Sequence, residues 1–177
     1  MENDFKNIVS TDWLEQHLEA PDIRIIDSSW YFPQEKRNAE QEFLECHIPG
    51  ASFFDIDKIK DNDSDLPHML PPSEMFNSTV RKLGIGDGHK VVIYDGLGMR
   101  SAARLWWMFK VFGYSDVVVL DGGFPKWLKE NRPTTADITE KEIRHLTIYE
   151  DKSIVADRDD VLRATKLNHC SIIDARS

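Results

Sequence analysis

The run Val91-Val-Ile-Tyr94 constrains this chain more than any other stretch. Four apolar, mostly β-branched residues without alternation form a strand buried on both faces, which is the habit of a central strand in a parallel sheet. Asp95 follows at once, in a loop that carries Gly96 and Gly98, and Ser101 stands where an N-cap would start a helix predicted over 102–112. Val117-Val-Val-Leu120, closed by Asp121-Gly-Gly123, supplies the next strand. Strand, tight loop, helix and strand make one unit of a doubly wound α/β fold, a short parallel sheet with helices on both faces. Such sheets take ligands at the carboxyl ends of their strands, where loop N–H groups and a helix start favour an anion. Chemistry is therefore expected at Asp95, Gly96, Leu97, Gly98, Met99 and Arg100, up to Ser101.

The remaining elements follow from punctuation. Ser10 caps a helix predicted over 11–18, and Ile23-Arg-Ile-Ile-Asp27 is a strand ending in an acid. Glu40, Glu42 and Phe43 give a helical turn before the corner Glu45-Cys-His-Ile-Pro-Gly-Ala51, which feeds a short strand at 52–54. Pro71-Pro-Ser73 starts a helix that runs through Leu83 and stops at Gly84, and Pro125 is placed at the first position of a helix over 125–130. Asp61-Asn-Asp-Ser-Asp65 alternates acids as a calcium loop does, but Leu66 and Pro72 stand where that loop needs glycine and glutamate, so it reads as a solvated acidic loop. Gly84-Ile-Gly-Asp-Gly88 precedes its strand instead of following it, and is a turn and not a phosphate loop.

A net charge of −9 argues against nucleic acid or an anionic membrane surface as a general partner. The first residues lack a basic-then-apolar leader, and no run approaches the roughly 20 apolar residues of a spanning helix, so a cytoplasmic location is expected. Cys46 and Cys170 lie in unrelated contexts and make no disulfide framework; each is expected to be a packing residue, and His47 a hydrogen-bonded structural one. No metal-ligand spacing accompanies them, and no cofactor is expected. Residues 131–151 are polar with scattered apolar positions and read as a linker or an arm along a neighbouring surface. Beyond them, Ile154-Val155 through Val161-Leu162 to Ser171-Ile-Ile-Asp174 repeats the layout of Ile8-Val9 through Trp13-Leu14 to Arg24-Ile-Ile-Asp27. The expected organisation is a first domain over 1–134, a linker over 135–153 and the start of a second copy over 154–177.

The corner Glu45 to Ala51, the stretch Val91 to Ser101, the segment Val119-Leu-Asp-Gly-Gly-Phe-Pro-Lys-Trp127 and Leu66-Pro-His-Met-Leu-Pro71 together resemble the rhodanese family. The chain is most similar to the first domain of tandem sulfurtransferases of the 3-mercaptopyruvate and thiosulfate type, with Val155 to Ser177 similar to the start of their second domain. That resemblance implies a cysteine after the central strand of the active domain, whose thiolate carries sulfane sulfur as a persulfide in a cradle of N–H groups. Here Asp95 holds that position, and a carboxylate cannot run the cycle. The implied function is thus a scaffold half, inactive by itself. Its partner is the second rhodanese domain of the same chain, and the whole protein moves sulfur from a small anionic donor, 3-mercaptopyruvate or thiosulfate, to a thiol or cyanide acceptor. The family's substrate-binding arginines fall beyond Ser177, so Arg176 is not given their role. Asp95, Arg100 and Arg104 are expected to contact the second domain, with Asp95 ion-paired to a basic residue near the interface. The alternative is a non-catalytic binding or regulatory module. A dinucleotide fingerprint fails because Ser101 replaces the third glycine, and a phosphatase reading lacks both a cysteine nucleophile and the second aspartate.

Overall fold

The computed structural model of the chain describes residues 7–167 and 171–173. Five parallel strands form one sheet in the order β1 (Ile8–Val9), β5 (Val117–Leu120), β4 (Lys90–Tyr94), β2 (Ile23–Asp27), β3 (Ser52–Phe53). The central strand is β4: Val91, Val92, Ile93 and Tyr94 are all 0% exposed, as an unbroken apolar run demands of a strand covered on both faces. Its side chains alternate between two cores. Val91 and Ile93 pack with α3 (Ser73–Lys82) and α4 (Ala102–Val111) through Phe76, Val80, Leu105 and Phe109. Val92 and Tyr94 pack with α1 (Thr11–Gln16), α2 (Ala39–Glu45) and α5 (Gly123–Lys129) through Leu14, Phe43 and Trp127.

The chain leaves β2 for α2 on one face and leaves β4 for α4 on the other. The crevice at the carboxyl ends of these neighbouring strands is therefore a topological switch point, the place where open α/β sheets hold ligands. Asp27 and Tyr94 are paired across it, and Asp95 is the next residue.

Two helix boundaries differ from expectation by two residues, the others by no more than one. The helix α5 starts at Gly123, not Pro125, because Gly122 in the left-handed region turns the chain and the Phe124 N–H is held by the Asp95 carbonyl at 2.9 Å. Proline is tolerated at the third position since first-turn N–H groups have no partner within the helix. The helix α1 stops at Gln16, where the His17 N–H closes a tighter turn on the Leu14 carbonyl. Trp127 is the tryptophan buried outright, while Trp106 and Trp107 are only partly covered.

Residues 131–151 lie along this domain's own surface. His47 and Thr135 exchange N–H···O bonds, each of 2.9 Å. Leu146, 3% exposed, inserts into the α3–α4 core, Thr147 donates through N and Oγ1 to Asp87 at 2.9 Å, and the Tyr149 N–H reaches the Phe112 carbonyl. The arm ends at a single helical turn over Lys152–Ile154 and α6 (Arg158–Ala164), which Asp157 caps. From there Ile154, Val161, Leu162, Leu167, Ile172 and Ile173 are exposed, and 171–173 form no strand. Cys170, Asp174 and Arg176 lie outside the described residues.

Candidate functional site

The loop after β4 is organised around the Asp95 side chain. Asp95 is 0% exposed; its Oδ1 accepts from the N–H groups of Leu97 at 2.9 Å and Met99 at 3.1 Å, and its Oδ2 accepts from Ala102 at 2.8 Å. Three donors that would otherwise point at an incoming anion are satisfied by the chain's own carboxylate. The loop tightens to do this: Gly98 sits at φ +83° and Met99 at φ +79°.

Two expectations are corrected by this geometry. Asp95 makes no ion pair among the described residues, because both oxygens are turned inward and held by backbone donors. Ser101 occupies the N-cap position of α4 in a helical conformation and its hydroxyl caps nothing; Asp95 takes the first N–H of the helix from seven residues back. The longer reach of a carboxylate at a fixed strand end outcompetes the adjacent hydroxyl.

Asp27 supports the same loop from β2. Its Oδ1 accepts the Ser29 N–H at 2.8 Å, and Ser29 Oγ in turn accepts the Gly96 N–H at 2.8 Å. Burial at 4% exposure pushes the Asp27 carboxyl from an ordinary 3.8 up to about 6; bonds from Ser29 and Tyr94 oppose the rise, and the nearby Asp95 charge adds to it. The folded protein therefore binds this proton more tightly than the unfolded chain. The stability the group contributes is full below about pH 4 and is lost as pH climbs through about 6, by up to about 3 kcal/mol. Asp27→Asn keeps an acceptor for Ser29 and removes the buried charge, so it is expected to raise stability by about 1–3 kcal/mol at pH 7.5 and by little at pH 4.5. Urea unfolding at the two pH values checks this, and an equal effect at both would rule it out.

A cavity lies on each side of the loop. The first, about 350 Å³, is lined by Asp27, Tyr31, Arg37, Cys46, Gly96 and Phe124 among others. Sequence distance separates Cys46 from the Asp95 loop, but the parallel crossover brings both to this space. Arg37 lies over the Tyr31 ring at 3.8 Å and is committed to Glu42 at 2.6 Å, while Tyr31 also donates to Glu42. His47 is 0% exposed, stacks on Phe43 and meets the Phe43 carbonyl through Nδ1 at 2.6 Å, as a structural residue does.

The second cavity, about 440 Å³, is lined by Trp30, Phe32, His68, Arg100, Ser101 and Arg104 among others. Arg100 pairs with Glu35 at 2.9 Å, donates to the Trp30 carbonyl and lies over Phe32. That guanidinium holds the Glu35 carboxyl below its usual range. Asp57 meets His68 Nε2 at 2.6 Å and accepts from the Trp30 indole at 3.2 Å, so an imidazole positioned by a carboxylate stands at the wall, an arrangement suited to proton transfer. Sequence reasoning missed this pair: 57 and 68 flank an acidic loop with no periodicity, and only the fold makes them neighbours.

Residues 10–130 match the family model described as the rhodanese-like domain. The chain is 54% identical over 120 residues to thiosulfate/3-mercaptopyruvate sulfurtransferase 1, mitochondrial, of Arabidopsis thaliana, a match that covers 68% of this chain and 32% of that protein. It is 38% identical over 179 residues to the 3-mercaptopyruvate sulfurtransferase of Rattus norvegicus, covering 98% of this chain and 60% of the relative. The crystal structure of SseA from Escherichia coli, reported with the rhodanese fold of 3-mercaptopyruvate sulfotransferases, matches with a TM-score of 0.89 at 39% identity, over 96% of this chain and 65% of that one. The chain thus spans about a third to three-fifths of the length of these curated relatives, which are sulfurtransferases. With a family model covering most of its length, and a central strand, loop and helix arranged as that fold requires, the chain belongs to the rhodanese family.

Proposed function

We propose that this chain supplies the non-catalytic first domain of a two-domain sulfurtransferase. In that protein a cysteine thiolate of the second domain attacks the sulfur of 3-mercaptopyruvate or thiosulfate. An S–S bond forms as the donor's C–S or S–S bond breaks, pyruvate or sulfite departs, and the outer sulfur passes to a thiol or cyanide acceptor.

The observation that carries this reading is the Asp95 carboxylate within its own cradle. An Asp oxygen lies two bonds beyond Cβ, as the outer sulfur of a cysteine persulfide does, so the N–H groups of Leu97, Met99 and Ala102 that would stabilise a persulfide anion already hold an anion. Cys46 lines the cavity on the other side of the loop, and among the described residues no cradle of N–H groups surrounds its sulfur. The exposed apolar residues from Ile154 to Ile173 support a second packing partner, and so does the helix α6, whose first residue Arg158 stands 147 positions after Thr11, the first of the similarly capped α1. The cavity with Arg100, Arg104 and His68 would form the first-domain wall of the cleft.

Intact masses test this, taken for the 177-residue chain and for the longer product of the same coding region, before and after 3-mercaptopyruvate. A sulfur-sized, cyanide-reversible gain is expected in the longer product alone. A gain in the 177-residue chain would overturn the reading and put the sulfur on Cys46 or Cys170; no gain in either would favour a binding module.

A further inference from the structure

We propose that Ser101 and Arg104 form an oxyanion subsite, contributed by this chain itself, for a small acid with a short apolar body. The two residues are three apart at the start of α4 and so share one helix face, directed to the 440 Å³ cavity that both line. Ser101 is 7% exposed, and its hydroxyl has no hydrogen-bond partner. Arg104 Nε is likewise buried without one, while the same guanidinium donates to the His68 carbonyl and lies 4.6 Å from the Trp107 ring centre. These contacts fix its orientation and leave an edge unused.

The charge balance points the same way. Glu35 is committed to Arg100, and Asp57 to His68 and Trp30, so among the described residues Arg104 is a cavity-lining cation that no carboxylate neutralises. Burial without a counter-charge holds its pKa below the usual range. A half-buried guanidinium, an unused hydroxyl and the positive end of a ten-residue helix together suit an oxyanion. The Ala102 N–H is already spent on Asp95 and the Arg104 N–H on the Ser101 carbonyl, so the donors assigned to the ligand are the two side chains. Trp30, Phe32 and Met69 give the cavity an apolar wall that an ion with no body would leave unfilled. A short α-keto carboxylate has the charge, the size and the apolar body; thiosulfate has the charge and size and would turn its soft, polarisable outer sulfur to that wall, so the shared chemistry is an oxyanion with one less polar end. The subsite is separate from any arginine of a second domain. It deepens the proposed function by naming what the first-domain wall would take, and because it is tested on this chain alone, its failure leaves that proposal standing.

The test is a titration of the 177-residue chain with pyruvate and, in a second arm, thiosulfate, each against chloride at matched ionic strength, read by ¹H–¹⁵N spectra of the tryptophan indoles and the amides of 100–104. Saturating shifts at Trp30 and Trp107 are expected in at least one arm, with half-saturation in the millimolar range. Pyruvate alone would mark a carboxylate subsite, and thiosulfate alone a sulfur-oxyanion subsite. Arg104→Met keeps an apolar stem on Trp107 and is expected to weaken binding about tenfold; Ser101→Ala is expected to weaken it about threefold. No shift beyond chloride in either arm up to about 50 mM, or wild-type affinity in both variants, overturns the proposal. If Arg104→Met does not fold, Ser101→Ala decides.

Discussion

Asp95→Ala is expected to lower the unfolding free energy by about 3–5 kcal/mol, one of the largest effects of any single polar replacement in this chain. Removing the carboxylate strands the N–H groups of Leu97, Met99 and Ala102, and each unsatisfied buried donor costs about 1–3 kcal/mol. The sum is less than three full penalties, since Leu97 and Met99 are only partly buried and a relaxed loop admits water to them. Asp95→Asn separates charge from shape. One amide oxygen still serves Leu97 and Met99, but the NH₂ faces the Ala102 N–H, donor against donor, at an expected cost of about 2 kcal/mol. Urea unfolding measures both, and amide exchange at Leu97 and Met99 should accelerate in Asp95→Ala before global unfolding does. A loss within about 0.5 kcal/mol would mean that the loop needs no internal anion.

The parts of this fold that were legible in the sequence are those where one local pattern decides. Val91 to Tyr94 had to be a central strand because no half-buried strand uses four apolar residues in succession, and all four are fully buried. Ser10 was a cap on adjacency alone, and its Oγ does accept the Trp13 N–H. Ser101 satisfied the same rule and fails it, because capping preferences weigh the neighbouring residue and say nothing of a carboxylate seven positions earlier that the strand end aims at the same N–H. The stretch over 131–151 read equally as a linker or as an arm along a neighbouring surface, and the choice between them was illegible for a related reason. The stretch is held by backbone bonds and one buried leucine, Leu146, amid charged residues, so its composition resembles that of a solvated linker. Parallel crossovers erase sequence distance altogether, which is why Cys46 and Gly96 share a cavity, whereas Asp57 and His68 meet across the acidic loop between them, whose composition offers no period to read.

Gly123→Ala is expected to cost about 3–5 kcal/mol, through a contact that joins α5 to the same loop. Gly123 has φ +54°, and a Cβ there would lie 2.6 Å from the Asp95 carbonyl oxygen and 3.2 Å from Gly98 Cα. Both neighbours are backbone, so no side chain can swing away. The Asp95 carbonyl also accepts the Phe124 N–H at 2.9 Å, and a shift that relieves the clash must stretch that bond and lift the start of α5 from the sheet. Gly50→Ala is the control: φ is +77°, comparably left-handed, yet a Cβ there meets nothing within 4 Å. Its expected cost is that of the backbone conformation alone, about 1 kcal/mol. The difference between the two variants in urea unfolding therefore isolates the close approach from the positive φ. If Gly123→Ala loses no more than Gly50→Ala, α5 is free to move relative to the loop. If it loses several times more, Asp95 holds the end of the sheet together through both its groups, with its carboxylate on the loop and α4 and its carbonyl on α5.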